Sequence, residues 1–66
     1  MEPESRLLRI QEVAVRCSLS KSSINRLVAQ GRFPLLVQVG ARAVRWWSHE
    51  VEAWLAELPR SEGATR

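Results

Sequence analysis

A mainly α-helical fold with a small β-hairpin is what this sequence predicts, and three observations predict it. Apolar residues recur at helical spacing in three short stretches. Alternating valines flank Gly40-Ala41-Arg42, as in a two-stranded hairpin, and helix-ending residues separate these segments. With 66 residues the chain can bury one core only. A core of that size gives about 3–5 kcal/mol net unless a disulfide, a metal or oligomerisation adds to it. A single cysteine, Cys17, excludes an internal disulfide. The lone histidine, His49, has no second ligand near it in sequence, so neither a zinc site nor any cofactor is expected.

Leu8 and Ile10 alternate with Arg9, an extended entry too short to define a strand. From Gln11 the spacing becomes helical. Val13, Ala14 and Cys17 share one face of about two turns, and Glu12 stands in the first turn against the positive helix end. Ser18 and Leu19 interrupt, and Ser20 reads as the cap of a second helix over 21–30. Ile24, Leu27 and Val28 form its core stripe, Gly31 falls where a left-handed residue ends a helix, and Pro34 blocks continuation.

The hairpin, or wing, is predicted over 37–46. Alternation places Val37, Val39, Val44 and Trp46 on one face, Gln38 and Arg45 on the other, and Arg42 at the tip. Ser48 is expected to cap a third helix whose stripe is Val51, Trp54, Leu55 and Leu58, ended by Pro59. Trp46 and Trp54 lie on apolar stripes and are read as core, with Phe33 under the second helix. Trp47, next to an inward Trp46, is left to either corner packing or a protein contact. The expected organisation is a flexible N-terminus over 1–6, one domain over 7–59 and a disordered tail over 60–66.

Charge distribution points to a polyanion. Residues 6–46 carry eight basic side chains against the single acid Glu12, a local +7 inside a chain of net +3. The face of the second helix opposite its stripe holds Ser22, Arg26 and Ala29, flanked by Ser23, Asn25 and Gln30, and no acid occurs between Glu12 and Glu50. A merely solvated helix face mixes glutamate with lysine; close approach to phosphates requires that carboxylates be absent. An enzyme would need a nucleophile with a base, paired carboxylates or a metal. The chain has no aspartate and one histidine and is too short to enclose a pocket, so catalysis is not expected. No stretch approaches the roughly 20 apolar residues of a membrane span, and the acidic, polar start is unlike a secretory signal. The cytoplasm is the expected location.

Two short helices joined by a tight turn, the second capped by serine and bare of acids, describe a helix-turn-helix. Its second helix enters the DNA major groove, and a hairpin directly after it makes a wing on the backbone. At this point the sequence resembles the AlpA family of phage and prophage regulators, within the MerR-like winged helix-turn-helix and excisionase proteins. The residues that carry the likeness are LLRIQEVA (7–14), SLSKSSINRLVAQGRFP (18–34), RAVRW (42–46) and SHEVEAWL (48–55).

The resemblance implies a winged helix-turn-helix of three helices and a two-stranded wing that binds double-stranded DNA by sequence. In the family this serves transcription control of a mobile element, or directional excision together with an integrase as partner. By position, Lys21, Ser22, Ser23, Asn25 and Arg26 would be recognition-helix contacts, and Arg42 and Arg45 wing contacts; Ser22 and Ser23 could instead be extra cap residues. Ser18 stands where the family usually has glycine, and Asn25 where it often has an aromatic residue. One short recognition helix reads few base pairs, so a dimer or cooperative oligomer on DNA is expected. A protein–protein adaptor anchored on Trp47 is the reading from another class.

Overall fold

The computed structural model describes residues 5–59. The expectations for 1–4 and 60–66 lie outside the described residues. Six elements follow in order: β1 (Leu7–Leu8), α1 (Ile10–Cys17), α2 (Lys21–Ala29), β2 (Val37–Gln38), β3 (Val44–Trp47) and α3 (Ser48–Ala56). The strands form an antiparallel sheet in the order β1-β3-β2. Three helices with a small antiparallel sheet fit the expected winged helix-turn-helix. No helix among the described residues is long and apolar enough to cross a membrane.

Five side chains are almost wholly buried: Leu8, Val13, Ile24, Trp46 and Val51. Each comes from a different element, β1, α1, α2, β3 and α3 in turn. Only β2 contributes none, so the wing's outer strand hangs on the core through β3. Leu27 and Val28 from α2, Ala14 and Cys17 from α1, and Trp54 and Leu55 from α3 pack around this centre, as their spacing predicts.

Both helices of the helix-turn-helix end on the same device. After α2, the Gly31 N–H donates to Val28 O (3.0 Å) and the Arg32 N–H to Leu27 O (2.9 Å), with Gly31 at φ +70°. After α1, the Ser18 N–H donates to Val15 O (3.3 Å) and the Leu19 N–H to Ala14 O (3.0 Å), with Ser18 at φ +58°. These pairs close orphan carbonyls with one left-handed residue, the Schellman arrangement. A serine therefore does at 18 what a glycine does at 31.

The structure departs from the sequence reading at four places. Leu7 and Leu8 do form a strand, pairing with Trp47 and Trp46, so the sheet has three strands and not two. In the wing, Val37 lies opposite Arg45 and Gln38 opposite Val44, while the Val39 N–H donates to Ala43 O at 2.8 Å. A three-residue loop over 40–42 pairs odd residues with odd ones. Val37, Val39 and Arg45 therefore share one face, and Gln38 joins Val44 and Trp46 on the other, unlike the expected grouping. Ser48 is the first residue of α3, not its cap; its hydroxyl accepts the Arg6 N–H at 2.8 Å and ties β1 to the helix start. Leu58 falls beyond the end of α3 and stays 44% exposed.

Candidate nucleic-acid interface

The reading face is built from the start of α2. Ser20 is its cap: the hydroxyl accepts the Ser23 N–H at 3.0 Å and donates to Ser23 Oγ at 3.0 Å. Ser23 is consequently half-buried, and its hydroxyl is engaged within the protein. The structure thus sets Ser23 apart from the other residues expected to contact DNA. Lys21, Ser22, Asn25 and Arg26 are all exposed, as are Ala29 and Gln30 further along. The anchored Ile24 fixes this orientation by filling the core on the opposite side.

The geometry suits a duplex. An α-helix with side chains is about 10–12 Å across, close to the roughly 12 Å width of the B-DNA major groove. The small side chains of Ser22 and Ala29 let the backbone approach, while Asn25 and Arg26 are the types that bond adenine and guanine edges in pairs. The free N–H groups of the first turn add partial positive charge there.

Ion pairing separates the basic residues into two sets. Arg6 lies 3.5 Å from Glu12, and Arg16 pairs with Glu52. The Arg9 N–H also donates to Glu12 Oε1 at 2.9 Å, which with nearby Arg6 holds the Glu12 carboxyl below the usual carboxylate range. Among the described residues, Lys21, Arg26 and Arg42 have no acidic partner. Arg9, Arg32 and Arg45 have none either, so the unpaired cations run from the start of α1 to the wing, and the two paired arginines, Arg6 and Arg16, lie before and within α1.

Arg42 is exposed in the loop over 40–42, whose shape is held by the Gln38 side-chain amide donating to Gly40 O and Ala41 O, both at 3.3 Å. Arg45 is placed differently. It is half-buried in β3, and one guanidinium nitrogen donates to Val44 O at 2.8 Å, so only part of its fork faces outward.

The link from α2 to the wing is gripped from two sides. Trp46 donates its indole N–H to Pro34 O at 3.1 Å, and Trp54 donates to Arg32 O at 3.0 Å. Phe33 lies between them, edge-on to Trp46 at 6.1 Å and tilted against Trp54 at 4.7 Å. Buried indoles seek an acceptor, and this backbone supplies two. The segment Gly31-Arg32-Phe33-Pro34 and the tryptophans of β3 and α3 therefore make one knot. The sequence places Trp46 and Trp54 in the core and Phe33 under the second helix, but not that they meet. The remaining singled-out side chains are local: Trp47 lies 6.0 Å from the His49 ring, whose Nδ1 meets the Ser5 hydroxyl. Burial and the Glu52 carboxylate push the Cys17 thiol up, against the pull of Arg16.

Such an assembly of three helices and a small antiparallel sheet, with an exposed acid-free face on α2, is compatible with a winged helix-turn-helix. The chain belongs to the AlpA family: the family described as prophage CP4-57 regulatory protein (AlpA) matches residues 6–60. It is 43% identical over 53 residues to the uncharacterized protein ORF88 of Enterobacteria phage P4, a match covering 80% of this chain. The chain spans 60% of that relative's length. No solved structure matches the chain.

Proposed function

We propose that this protein is a sequence-specific double-stranded DNA-binding regulator of transcription in a phage or other mobile element. Residues 21–30 enter the major groove and the wing lies on the flanking backbone. The observation that carries the reading is the open side of α2, where Lys21, Ser22, Asn25 and Arg26 are exposed together with no acid among them. Arg42, exposed in the loop at the wing tip, is a further cation without an acidic partner among the described residues. Binding, not catalysis, is the proposed role, and membership in a prophage regulatory family supports it.

The test is selection of bound sequences from a random duplex pool, repeated at two salt concentrations. A recurring motif is expected, with Arg26→Ala costing about 1–3 kcal/mol at one position of it if the side chain bonds a base in two places. If about four phosphates are engaged, log K falls with log salt at a slope of roughly −3.6. No enrichment at low salt would end the proposal. An excisionase remains the second reading on the same surface; a footprint of several sites flanking a recombination core, in place of one promoter site, would select it.

A further inference from the structure

The angle between α2 and the wing is not set by direct contact between them. Of the regular elements, α2 packs chiefly on α1, while the wing hangs on β3, which packs on β1, α1 and α3. Their covalent link is the stretch 30–36. Residues 33–36 make no backbone–backbone hydrogen bond to any described residue, and Pro34 has no N–H to offer. Leu35 is 85% and Leu36 38% exposed, so the second half of the link is not packed either. Its shape rests on Phe33 and on two indoles, Trp46 donating to Pro34 O and Trp54 to Arg32 O.

We propose that Trp54 is a positioning residue for DNA binding: its indole N–H, by holding Arg32 O, keeps α2 and the wing at the angle where both reach one duplex. The proposal rests on the DNA-binding reading and adds to it a residue remote from the reading face. Trp46 makes a similar bond, but it is almost wholly buried and its indole cannot be separated from the core. Trp54 is half-buried, and its hydrogen bond lies at the exposed edge of the molecule. The residue it holds is already engaged on its other side. Arg32 donates its N–H to Leu27 O at 2.9 Å, in the last turns of α2, and gives its carbonyl to Trp54 on α3. Phe33, tilted against Trp54 at 4.7 Å, carries the same hold towards the wing. One side chain of α3 therefore joins the end of the reading helix to the half of the molecule that bears the wing.

Leverage makes one bond matter. From Val37 to the loop over 40–42 the wing reaches about 13 Å, so a rotation of about 15° between α2 and the sheet moves Arg42 by about 3 Å. That is the whole length of a hydrogen bond, enough to take the guanidinium off a phosphate while α2 stays in its groove. Without the bond, Ile24 still anchors α2 in the core, so the helix is kept. What is lost is the fixed angle, and the freedom regained by the link must be surrendered again on binding.

The experiment measures affinity for one selected site across a salt series, for the unaltered chain and for Trp54→Phe, which keeps a ring beside Phe33 without the donor. Each background is then combined with Arg42→Ala and, separately, with Arg26→Ala. In the unaltered chain Arg42→Ala flattens the log K against log salt slope by about 0.9. Trp54→Phe alone should flatten it equally, and Arg42→Ala added to it should change affinity by less than about twofold, so that the two are not additive. Arg26→Ala should cost the same factor in both backgrounds. A synthetic chain with 3-benzothienylalanine at position 54, which puts sulfur in place of the N–H at nearly the same shape, should behave as Trp54→Phe does and separates the lost donor from lost volume. Circular dichroism melts fix a temperature at which every variant is folded. A residue that only stabilised the fold would lower Tm and leave the salt slope of the folded protein unchanged. That result, an equal effect of Arg42→Ala in both backgrounds whether large or nil, or a full slope in the benzothienyl chain would overturn the inference with the DNA reading intact. No specific binding by the unaltered chain would remove both.

Discussion

Ser18 occupies a left-handed conformation that favours glycine, which allows a measurement of opposite sign at two equivalent positions. At φ +58° and ψ +39° an L-residue is strained by about 1–2 kcal/mol. Ser18 is exposed, and no side-chain hydrogen bond of its own offsets that cost. Ser18→Gly relieves the strain and gives back about 0.4–1 kcal/mol through greater freedom of the unfolded chain. The net gain is about 0.5–1 kcal/mol. At Gly31, φ +70°, a Cβ would meet nothing within 4 Å, so Gly31→Ala costs backbone strain alone. It should destabilise by about 0.5–1 kcal/mol by the same balance. For a domain of this size each kcal/mol moves Tm by about 4–8 °C. Thermal melts followed by circular dichroism, with urea midpoints at unchanged m-value, read both changes. A lower Tm for Ser18→Gly, or an unchanged one for Gly31→Ala, would refute the account of these two turns.

Other predictions follow from the same coordinates. Ile24→Ala removes the one fully buried side chain of α2 and should cost about 2–5 kcal/mol. That rivals the whole stability of so small a core, so the variant should lack a cooperative melt. Arg42→Ala should weaken binding to all duplexes alike and flatten the log K against log salt plot by about 0.9, provided the side chain meets a phosphate. The depressed Glu12 carboxyl contributes stability above the unfolded carboxylate pKa and loses it as pH falls through the lower folded value. Glu12→Gln should therefore flatten the acid limb of a stability–pH curve. With its thiol pushed up, Cys17 should be alkylated more slowly at pH 8 than free cysteine in the native protein, and at the ordinary rate in urea.

Legibility in the sequence followed the range of the interactions. Ser20, the Ile24–Leu27–Val28 stripe and Gly31 are local signals, and α2 with its cap and its left-handed end lies where they place it. The open residues Lys21, Ser22, Asn25 and Arg26 follow from helical geometry once the stripe is known. What was missed depends on pairing across the chain. Leu7–Leu8 is too short to show alternation and becomes a strand only through Trp46 and Trp47. The wing's facing depends on the parity of its loop, so valines that alternate correctly within each strand were grouped on the wrong side across the pair. Ser48 carries a helix-capping signal but bonds Arg6, 42 positions away. Periodicity sets the direction of Ser23 and not its hydrogen bonding; of the two roles open to it in the sequence, cap partner and DNA contact, its hydroxyl takes the first, bonded to Ser20.

The central claim concerns which surface meets DNA, and amide chemical-shift mapping of the ¹⁵N-labelled protein tests it most directly. On titration with a selected duplex, the largest shifts should fall on Lys21–Gln30 and on the loop over 40–42, with Arg26→Ala reducing them. Shifts confined to Leu7, Trp47 and α3, with the α2 amides unmoved, would contradict the account.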